Sequence, residues 1–235
     1  PPWLADCLVL SGTGNLEHLT AFREGLFYIQ DPAARLAVEV ADPKPGMKVL
    51  DACAAPGGKT FASAIRMGGE GEIQSCDIHA HKEKLIQAGA ERLGFNCIKT
   101  AVMDGKKHRP AFENAFDVVI ADVPCSGLGI IRKKPDIRYK DPEPLTGLPA
   151  VQSAILDNVA TYVKPGGVLL YATCTLLERE NGDVVCGFLD RNKDFTLEKF
   201  QLPEPLGRAD NGMFTFWPQR HGTDGFFIAK LRRNT

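Results

Sequence analysis

Cys125, in Asp122-Val-Pro-Cys125, and Cys174, in Thr173-Cys-Thr175, each stand where an apolar run gives way to polar or glycine-rich sequence. Runs of this kind read as strands, and in an open α/β sheet the carboxyl ends of the strands are where ligands bind. A thiol that serves only as a small core residue more often sits inside the run. Two thiols delivered to one crevice suit a reaction that needs a sulfur nucleophile and a second, separately placed thiol. A free thiol, with a pKa of about 8.5, is only a few per cent thiolate at neutral pH. Such a site must therefore lower the pKa of its nucleophile or remove the proton on binding.

A second constellation lies upstream. The run Met47–Asp51 leads into Ala52-Cys53-Ala54-Ala55-Pro56-Gly57-Gly58-Lys59-Thr60 and then into a helical pattern. Small residues and glycines let the backbone approach a ligand, and a helix start offers unpaired N–H groups. The turn is neither GxGxxG nor GxxxxGK[ST], so neither the dinucleotide fingerprint nor the P-loop applies. The next strand ends in Asp77, at about the distance where a Rossmann-like site sets an acid on ribose hydroxyls. The third ends near Asp104-Gly105 and the fourth holds Asp122. Any one of these acids could cap a helix or lie on the surface. Together, at the ends of successive strands, they point to a nucleoside-type cofactor. An anionic rim suits the sulfonium of S-adenosylmethionine better than the pyrophosphate of a dinucleotide.

The elements that must position these residues alternate. Strands are expected at Met47–Ala52, Glu72–Ile78, Asn96–Val102, Phe116–Val123 and Val168–Thr173. Helices are expected after Asp31-Pro32, a good cap and first residue, and at Lys59–Met67, Lys82–Leu93, Val151–Val163 and Asn181–Asp190. Leu85, Ile86, Gly89, Ala90 and Leu93 share one face of the third of these. Lys164-Pro-Gly-Gly167 is read as the stop that ends the fourth, and Phe214–Trp217 with Phe226–Leu231 as a terminal hairpin. Strands alternating with helices give an α/β, Rossmann-like fold: a mostly parallel twisted sheet with a C-terminal antiparallel hairpin. Residues 1–46 are expected to pack on or lead into a catalytic domain at 47–235. The proline-rich stretch Gly129–Leu148 is long for a plain connection, and such segments are often functional.

Composition sets the outer limits. The 235 residues are 44% hydrophobic and 24% charged, with net charge −1, as expected of one soluble domain. That balance does not mark a polyanion partner; only local basic clusters could. The seven cysteines, 7, 53, 76, 97, 125, 174 and 186, are odd in number and form no CxxC, against a disulfide framework or a zinc site. His79, His81, His108 and His221 have no metal-ligand spacing, so no metal is expected. With no leader-like start, a reducing cytoplasm is the expected compartment. No apolar run approaches the roughly 18 residues that span a membrane. The first residue is Pro, so the chain reads as cut from a longer protein, with room for a further N-terminal domain.

Asp51-Ala-Cys-Ala-Ala-Pro-Gly-Gly-Lys-Thr60, Asp122-Val-Pro-Cys-Ser-Gly-Leu-Gly129 and Tyr171-Ala-Thr-Cys-Thr175 resemble the signatures of the Sun-type RNA (cytosine-C5) methyltransferases. The resemblance continues in order through Gly25-Leu-Phe-Tyr-Ile-Gln-Asp31, Arg132-Lys-Lys-Pro-Asp-Ile-Arg138, Gln152-Ser-Ala-Ile-Leu156, Lys164-Pro-Gly-Gly167 and Asp224-Gly-Phe-Phe-Ile-Ala229. It covers roughly residues 25–231, and its three leading motifs are highly specific together. It implies the class I S-adenosylmethionine-dependent methyltransferase fold. It implies a cofactor site at Cys53, Ala54, Ala55, Pro56, Gly57, Gly58, Lys59, Asp77, Asp104 and Asp122. It also implies methylation of cytosine carbon 5 through a covalent cysteine–C6 adduct. By position, Cys174 is then the nucleophile, Cys125 assists release, Asp122 holds the base near N3, and Lys59 contributes charge. Cys53 would line the turn without reacting. The chain departs from the family in Thr-Cys-Thr, where Thr-Cys-Ser is frequent. It departs again in Glu180-Asn181-Gly182-Asp183, where Glu-Asn-Glu is usual, and this is read as a matter of a helix start.

On the substrate side, Arg132, Lys133, Lys134, Arg138 and Lys140 cluster with Tyr139, and Lys106, Lys107, His108 and Arg109 form a second group. Basic groups hold phosphates, an aromatic stacks on an unpaired base, and the target cytosine must leave its stack to reach the thiols. By resemblance to the bacterial members, the expected partner is small-subunit (16S) ribosomal RNA, bound by a monomer. Transfer RNA is an alternative target, and a non-catalytic RNA-binding ribosome assembly factor an alternative function. A DNA cytosine methyltransferase would not need the second thiol. An adenine amino methyltransferase would want Asp/Asn-Pro-Pro-aromatic at Asp122.

Overall fold

Along β4 (Phe116–Asp122), Val118 and Ile120 enter one buried cluster while Val119 and Ala121 enter another. Side chains alternate across a strand, so this run is covered on both faces. The computed structural model describes residues 3–4, 7–139, 141 and 143–235. The other elements, in chain order, are α1 (Thr20–Arg23), α2 (Pro32–Ala41), β1 (Lys48–Asp51), α3 (Gly58–Arg66), β2 (Glu72–Asp77), α4 (Ala80–Leu93) and β3 (Ile98–Val102). After β4 come α5 (Leu148–Ala160), β5 (Val163–Thr173), α6 (Gly182–Arg191), β6 (Phe195–Leu197), β7 (Phe200–Gln201), β8 (Arg208–Ala209), β9 (Met213–Phe216), α7 (Pro218–His221) and β10 (Phe226–Arg233).

The main sheet runs β3-β2-β1-β4-β5-β10-β6, with β9 also paired to β10, and β7 and β8 form a separate two-stranded piece. The first five strands are parallel, and β10 is antiparallel to β5, β6 and β9. From β1 the chain builds outward through β2 and β3, then returns to add β4 on the other side. The β1/β4 junction is therefore a topological switch point, where a crevice opens at the carboxyl ends of the strands. One face is closed by α2 and α3, through Leu36, Val40 and Ala62 on Val49, Ile73 and Ile120. The other is closed by α5 and α6, through Leu156, Val159 and Phe188 on Leu50, Val119 and Leu169. No helix among the described residues is long and apolar enough to cross a membrane.

The α/β class, the parallel order and the terminal hairpin agree with the sequence reading. Asp31 caps α2 as expected, accepting from Ala33 N at 2.9 Å, with Pro32 first in the helix. Three local readings change. α5 stops at Ala160, and β5 already begins at Val163, so Lys164-Pro-Gly-Gly167 lies inside a strand. It sits where the β4–β5 register shifts between Phe116 and Val118. Leu85 is 56% exposed, and α4 buries Ile86 and Ala90 instead. The stretch Gly129–Leu148 is built largely of short 3-10 turns.

Candidate active site

β4 and β5 are parallel neighbours with Asp122 opposite Ala172, so the residues just past their ends emerge side by side. The Sγ atoms of Cys125 and Cys174 lie 3.1 Å apart and share a hydrogen bond, and Cys174 N donates to Cys125 Sγ at 3.3 Å. The bond separates the two thiols electrostatically. Cys174, receiving it, is pulled below the ordinary thiol value; burial and Asp122 oppose this, while Lys59 and the Cys174 amide assist. Cys125 is held well above it by the same bond, then by burial and by the charges of Cys174 and Asp122. The two thiols are thus pushed in opposite directions, Cys174 down and Cys125 up.

Lys59, in the first turn of α3, is 8% exposed and pairs with Asp122 Oδ2 at the end of β4. Its ammonium lies 5.0 Å from the Phe226 ring centroid. Burial alone would lower its pKa, but Asp122, with help from Asp51 and Cys174, holds it above the usual lysine value. A fixed cation therefore stands among the strand ends and favours the thiolate of Cys174.

The turn from β1 to α3 places the helix start close to the ligand edge. Gly57, at φ 108°, occupies a left-handed conformation, and a Cβ there would come within 2.5 Å of the Phe61 ring. Asp51 ends β1 fully buried. Its Oδ2 accepts from Thr60 Oγ1 at 2.8 Å, and its Oδ1 has no partner. Burial pushes this carboxyl up to about 7, against the Thr60 hydrogen bond and Lys59 and with Asp122 and Asp77 adding to the rise. Asp77, nearly buried, ends β2 and accepts from His79 N at 3.0 Å; Asp104, just past β3, accepts from Lys106 N at 3.0 Å. The four acids thus lie at or just past the carboxyl ends of β1 to β4. Burial, then the surrounding carboxylates, drives the Cys53 thiol far above its ordinary value, as suits a lining residue that does not react. A cavity of about 220 Å³ beside Met47, Asp117 and Lys164 lies at the opposite end of the strands and is not part of this site.

The sequence reading missed the polar cluster beneath the thiols. Ser126, Gln152, Thr173, Thr175, Glu180 and Asn181 are all buried. Glu180 Oε2 accepts from Ser126 N and Gln152 Nε2, both at 2.9 Å, and Gln152 Nε2 also donates to Pro124 O at 3.0 Å. Asn181 Oδ1 accepts from Thr173 Oγ1 at 2.6 Å and its Nδ2 donates to Thr175 O at 3.2 Å. The available signal was Glu180-Asn181 itself, read only as a helix start.

The basic residues divide. Lys133 Nζ bridges Asp31 Oδ2 at 3.0 Å and Asp224 Oδ2 at 2.7 Å, and Arg132 reaches Asp224 Oδ1 at 3.1 Å. Lys133 thereby ties the start of α2 to the segment before β10, and Arg132 adds a second cation at Asp224. Lys134 and Arg138 are exposed, as is Tyr139 at 82%, and Lys140 lies outside the described residues. In the second cluster, Arg109 donates to Val102 O at 2.8 Å, and His108 meets Glu113 at 2.9 Å and stacks on Tyr162.

Residues 38–232 match the family described as 16S rRNA methyltransferase RsmB/F. The chain belongs to that RsmB/F family. It is 42% identical to the probable ribosomal RNA small subunit methyltransferase B of Bacillus subtilis (strain 168), over 98% of this chain and 53% of that protein. The fold superposes on the crystal structure of PH0851 with a TM-score of 0.87 at 35% identity, covering 93% of this chain and 50% of the other. It superposes on NSun6 from Pyrococcus horikoshii, solved with SFG, with a TM-score of 0.80 at 31% identity, covering 94% and 56%. The chain spans about half the length of the curated RsmB and RsmF relatives it matches.

Proposed function

We infer that this chain carries the catalytic unit of an S-adenosylmethionine-dependent RNA methyltransferase that modifies carbon 5 of a cytosine in small-subunit ribosomal RNA. The observation that carries the reading is the 3.1 Å pairing of Cys125 and Cys174 next to the Lys59–Asp122 ion pair, all at the ligand edge of the sheet. Membership of a family described as 16S rRNA methyltransferases, and the names of its relatives, support the class of substrate.

The donor set suits S-adenosylmethionine. The buried Asp51 Oδ1 has no partner, Asp77 and Asp104 follow on the next strands, and the Gly57–Gly58 turn brings backbone close. When bound there, the cofactor supplies an electrophilic methyl group on a sulfonium. Residues 53–59 with Asp77, Asp104 and Asp122 would hold it.

Carbon 5 of cytosine is too weak a nucleophile to take that methyl group directly. The Cys174 thiolate adds to C6, forming an S–C6 bond and shifting the C5–C6 electron pair so that C5 becomes enamine-like. Asp122 holds the base edge near N3, and the Lys59 ammonium paired with it offsets the negative charge that moves onto the ring. C5, made electron-rich by Cys174, would then be the atom that accepts the methyl group a bound cofactor supplies. Water takes the C5 proton, the C5–H electrons re-form the C5–C6 double bond, and the S–C6 bond breaks with its electrons leaving on Cys174 as the thiolate. Cys125, held protonated with its Sγ 3.1 Å from the Cys174 sulfur, assists that departure. Residues 47–235 carry this chemistry, while the preceding segment contributes α2 to one face of the sheet. Exposed Lys134 and Arg138 lie where phosphate contacts would help hold an unstacked base.

The deciding experiment incubates the protein with small-subunit rRNA and methyl-labelled cofactor and maps the label to the base. Label on cytosine C5 supports the reading. RNA binding without transfer, or label on another atom, overturns it.

A further inference from the structure

The β4–β5 ladder ends where Val123 N donates to Ala172 O at 3.1 Å. Both thiols lie beyond that point, on segments that regular strand pairing no longer holds. What replaces the ladder is Glu180. Its Oε2 takes the Ser126 amide, adjacent to Cys125, and the Gln152 amide, which itself grips Pro124 O on the other side of Cys125. Ser126 Oγ then joins Thr175 Oγ1, adjacent to Cys174, at 2.8 Å. The Glu180 peptide carbonyl accepts from Tyr171 OH, anchoring the hub to β5.

Glu180 is 0% exposed, its Oε1 has no partner, and no cation pairs with it among the described residues. A buried carboxylate without a counter-charge is an expensive way to hold a loop. One oxygen of this side chain accepts two hydrogen bonds at once.

We propose that Glu180, with Gln152, is the positioning element of the reaction: it fixes the Cys125 loop against the Cys174 loop so that the Cys125 thiol stands beside the Cys174 sulfur. This rests on the reading of the two thiols given above. Glu180 touches neither sulfur, so it acts through Ser126 and Pro124. It sets the distance and direction of Cys125, where a misplacement of about 1 Å costs roughly 100-fold in rate.

The test reads thiol proximity separately from methyl transfer. Phenylarsine oxide, in excess monothiol, is retained only by two adjacent thiols, forming two As–S bonds and releasing water. The wild-type protein should bind one equivalent, and Cys125→Ser should lose it. Glu180→Ala, with melting temperature and cofactor binding as controls, should weaken arsenical binding by about tenfold or more as the effective concentration of the second thiol falls. Its kcat should fall about 100-fold with KM little changed. Glu180→Gln should restore both, because an amide oxygen can accept the same two N–H groups. Should Glu180→Ala fail to fold, Gln152→Leu, which removes one donor and the Pro124 tie, should show an intermediate loss of arsenical affinity. A folded Glu180→Ala that holds the arsenical as tightly as wild type and keeps its kcat overturns the proposal, as does undiminished arsenical affinity in Gln152→Leu. If the wild type transfers no methyl group to RNA, the functional reading fails while the arsenical titration still decides the role of Glu180.

Discussion

Lys59 and Asp122, 63 positions apart in sequence, form an ion pair that joins the first turn of α3 to the last residue of β4. This one contact links the turn expected to hold the cofactor with the strand that delivers Cys125. It also sets the field at Cys174, whose thiol is lowered first by the Cys125 hydrogen bond and then, against burial and Asp122, by Lys59.

Removing that cation as Lys59→Met should raise the Cys174 pKa. The rising limb of kcat/KM against pH should move to higher pH, and activity at neutral pH should fall about 100-fold, the scale of losing one preorganised electrostatic group. A pH–rate profile of the variant checks this; an unmoved limb would show that Lys59 does not tune the thiol.

The two thiols should fail differently. Cys174→Ala should abolish transfer while cofactor binding persists. Cys125→Ala should still add to RNA but release it slowly, leaving a protein–RNA species that survives denaturing electrophoresis. If Cys174→Ala forms that species instead, the roles are exchanged.

Asp51 predicts a pH dependence of stability. Burial raises its folded-state value from 3.8 to about 7, so the folded protein holds this proton more tightly than the unfolded chain. Below 3.8 both states are protonated and the contribution is complete. As pH rises from there toward about 7 the unfolded chain ionises first, and stability falls by at most about 1.4 kcal/mol per pH unit. Asp51→Asn should flatten this segment of the profile in urea unfolding measured from pH 4 to about 7.5. An unchanged slope would place the titration elsewhere.

Lys133 and Arg138 sit six residues or fewer apart in one motif but should behave oppositely. Lys133→Ala leaves Asp31 without its cation and Asp224 with only Arg132, and should cost roughly 1–2 kcal/mol of stability. Arg138→Ala should leave stability unchanged and lower the slope of log RNA affinity against log salt by about 1. Thermal melts and salt-titrated binding separate the two.

The strands and the glycine-rich turn after β1 were legible because β-branched runs, glycine placement and strand-end acids are local signals. Cys125 and Cys174 could be singled out from their flanking residues, but not their contact, which depends on β4 and β5 being neighbours in register. Lys164-Pro-Gly-Gly167 read as a stop because Pro and Gly break helices locally; here pairing with β4 absorbs them as an irregularity in the strand. Glu180 was the largest omission. Its partners, Ser126 and Gln152, are distant in sequence, and one of them is a backbone amide that leaves no trace in residue type. Lys133 was grouped with the candidate RNA-contacting residues because its acids, Asp31 and Asp224, lie far from it in sequence.

β10 follows every other strand of the sheet in sequence yet lies inside it, between β5 and β6. Just before it, Gly225 N donates to Gly129 O at 2.8 Å, and Gly129 N donates to Cys174 O at 2.9 Å. A Cβ on Gly129 would come within 2.0 Å of Gly225 O, so the three segments close with no room to spare. During vectorial synthesis, a nascent chain that has not yet delivered Phe226 presents the open edge of β5 and a Cys125 loop that lacks its bond from Gly225. The segment around the paired thiols is therefore closed last, and a prematurely terminated chain carries both thiols and Glu180 without the Gly225–Gly129 bond that backs them.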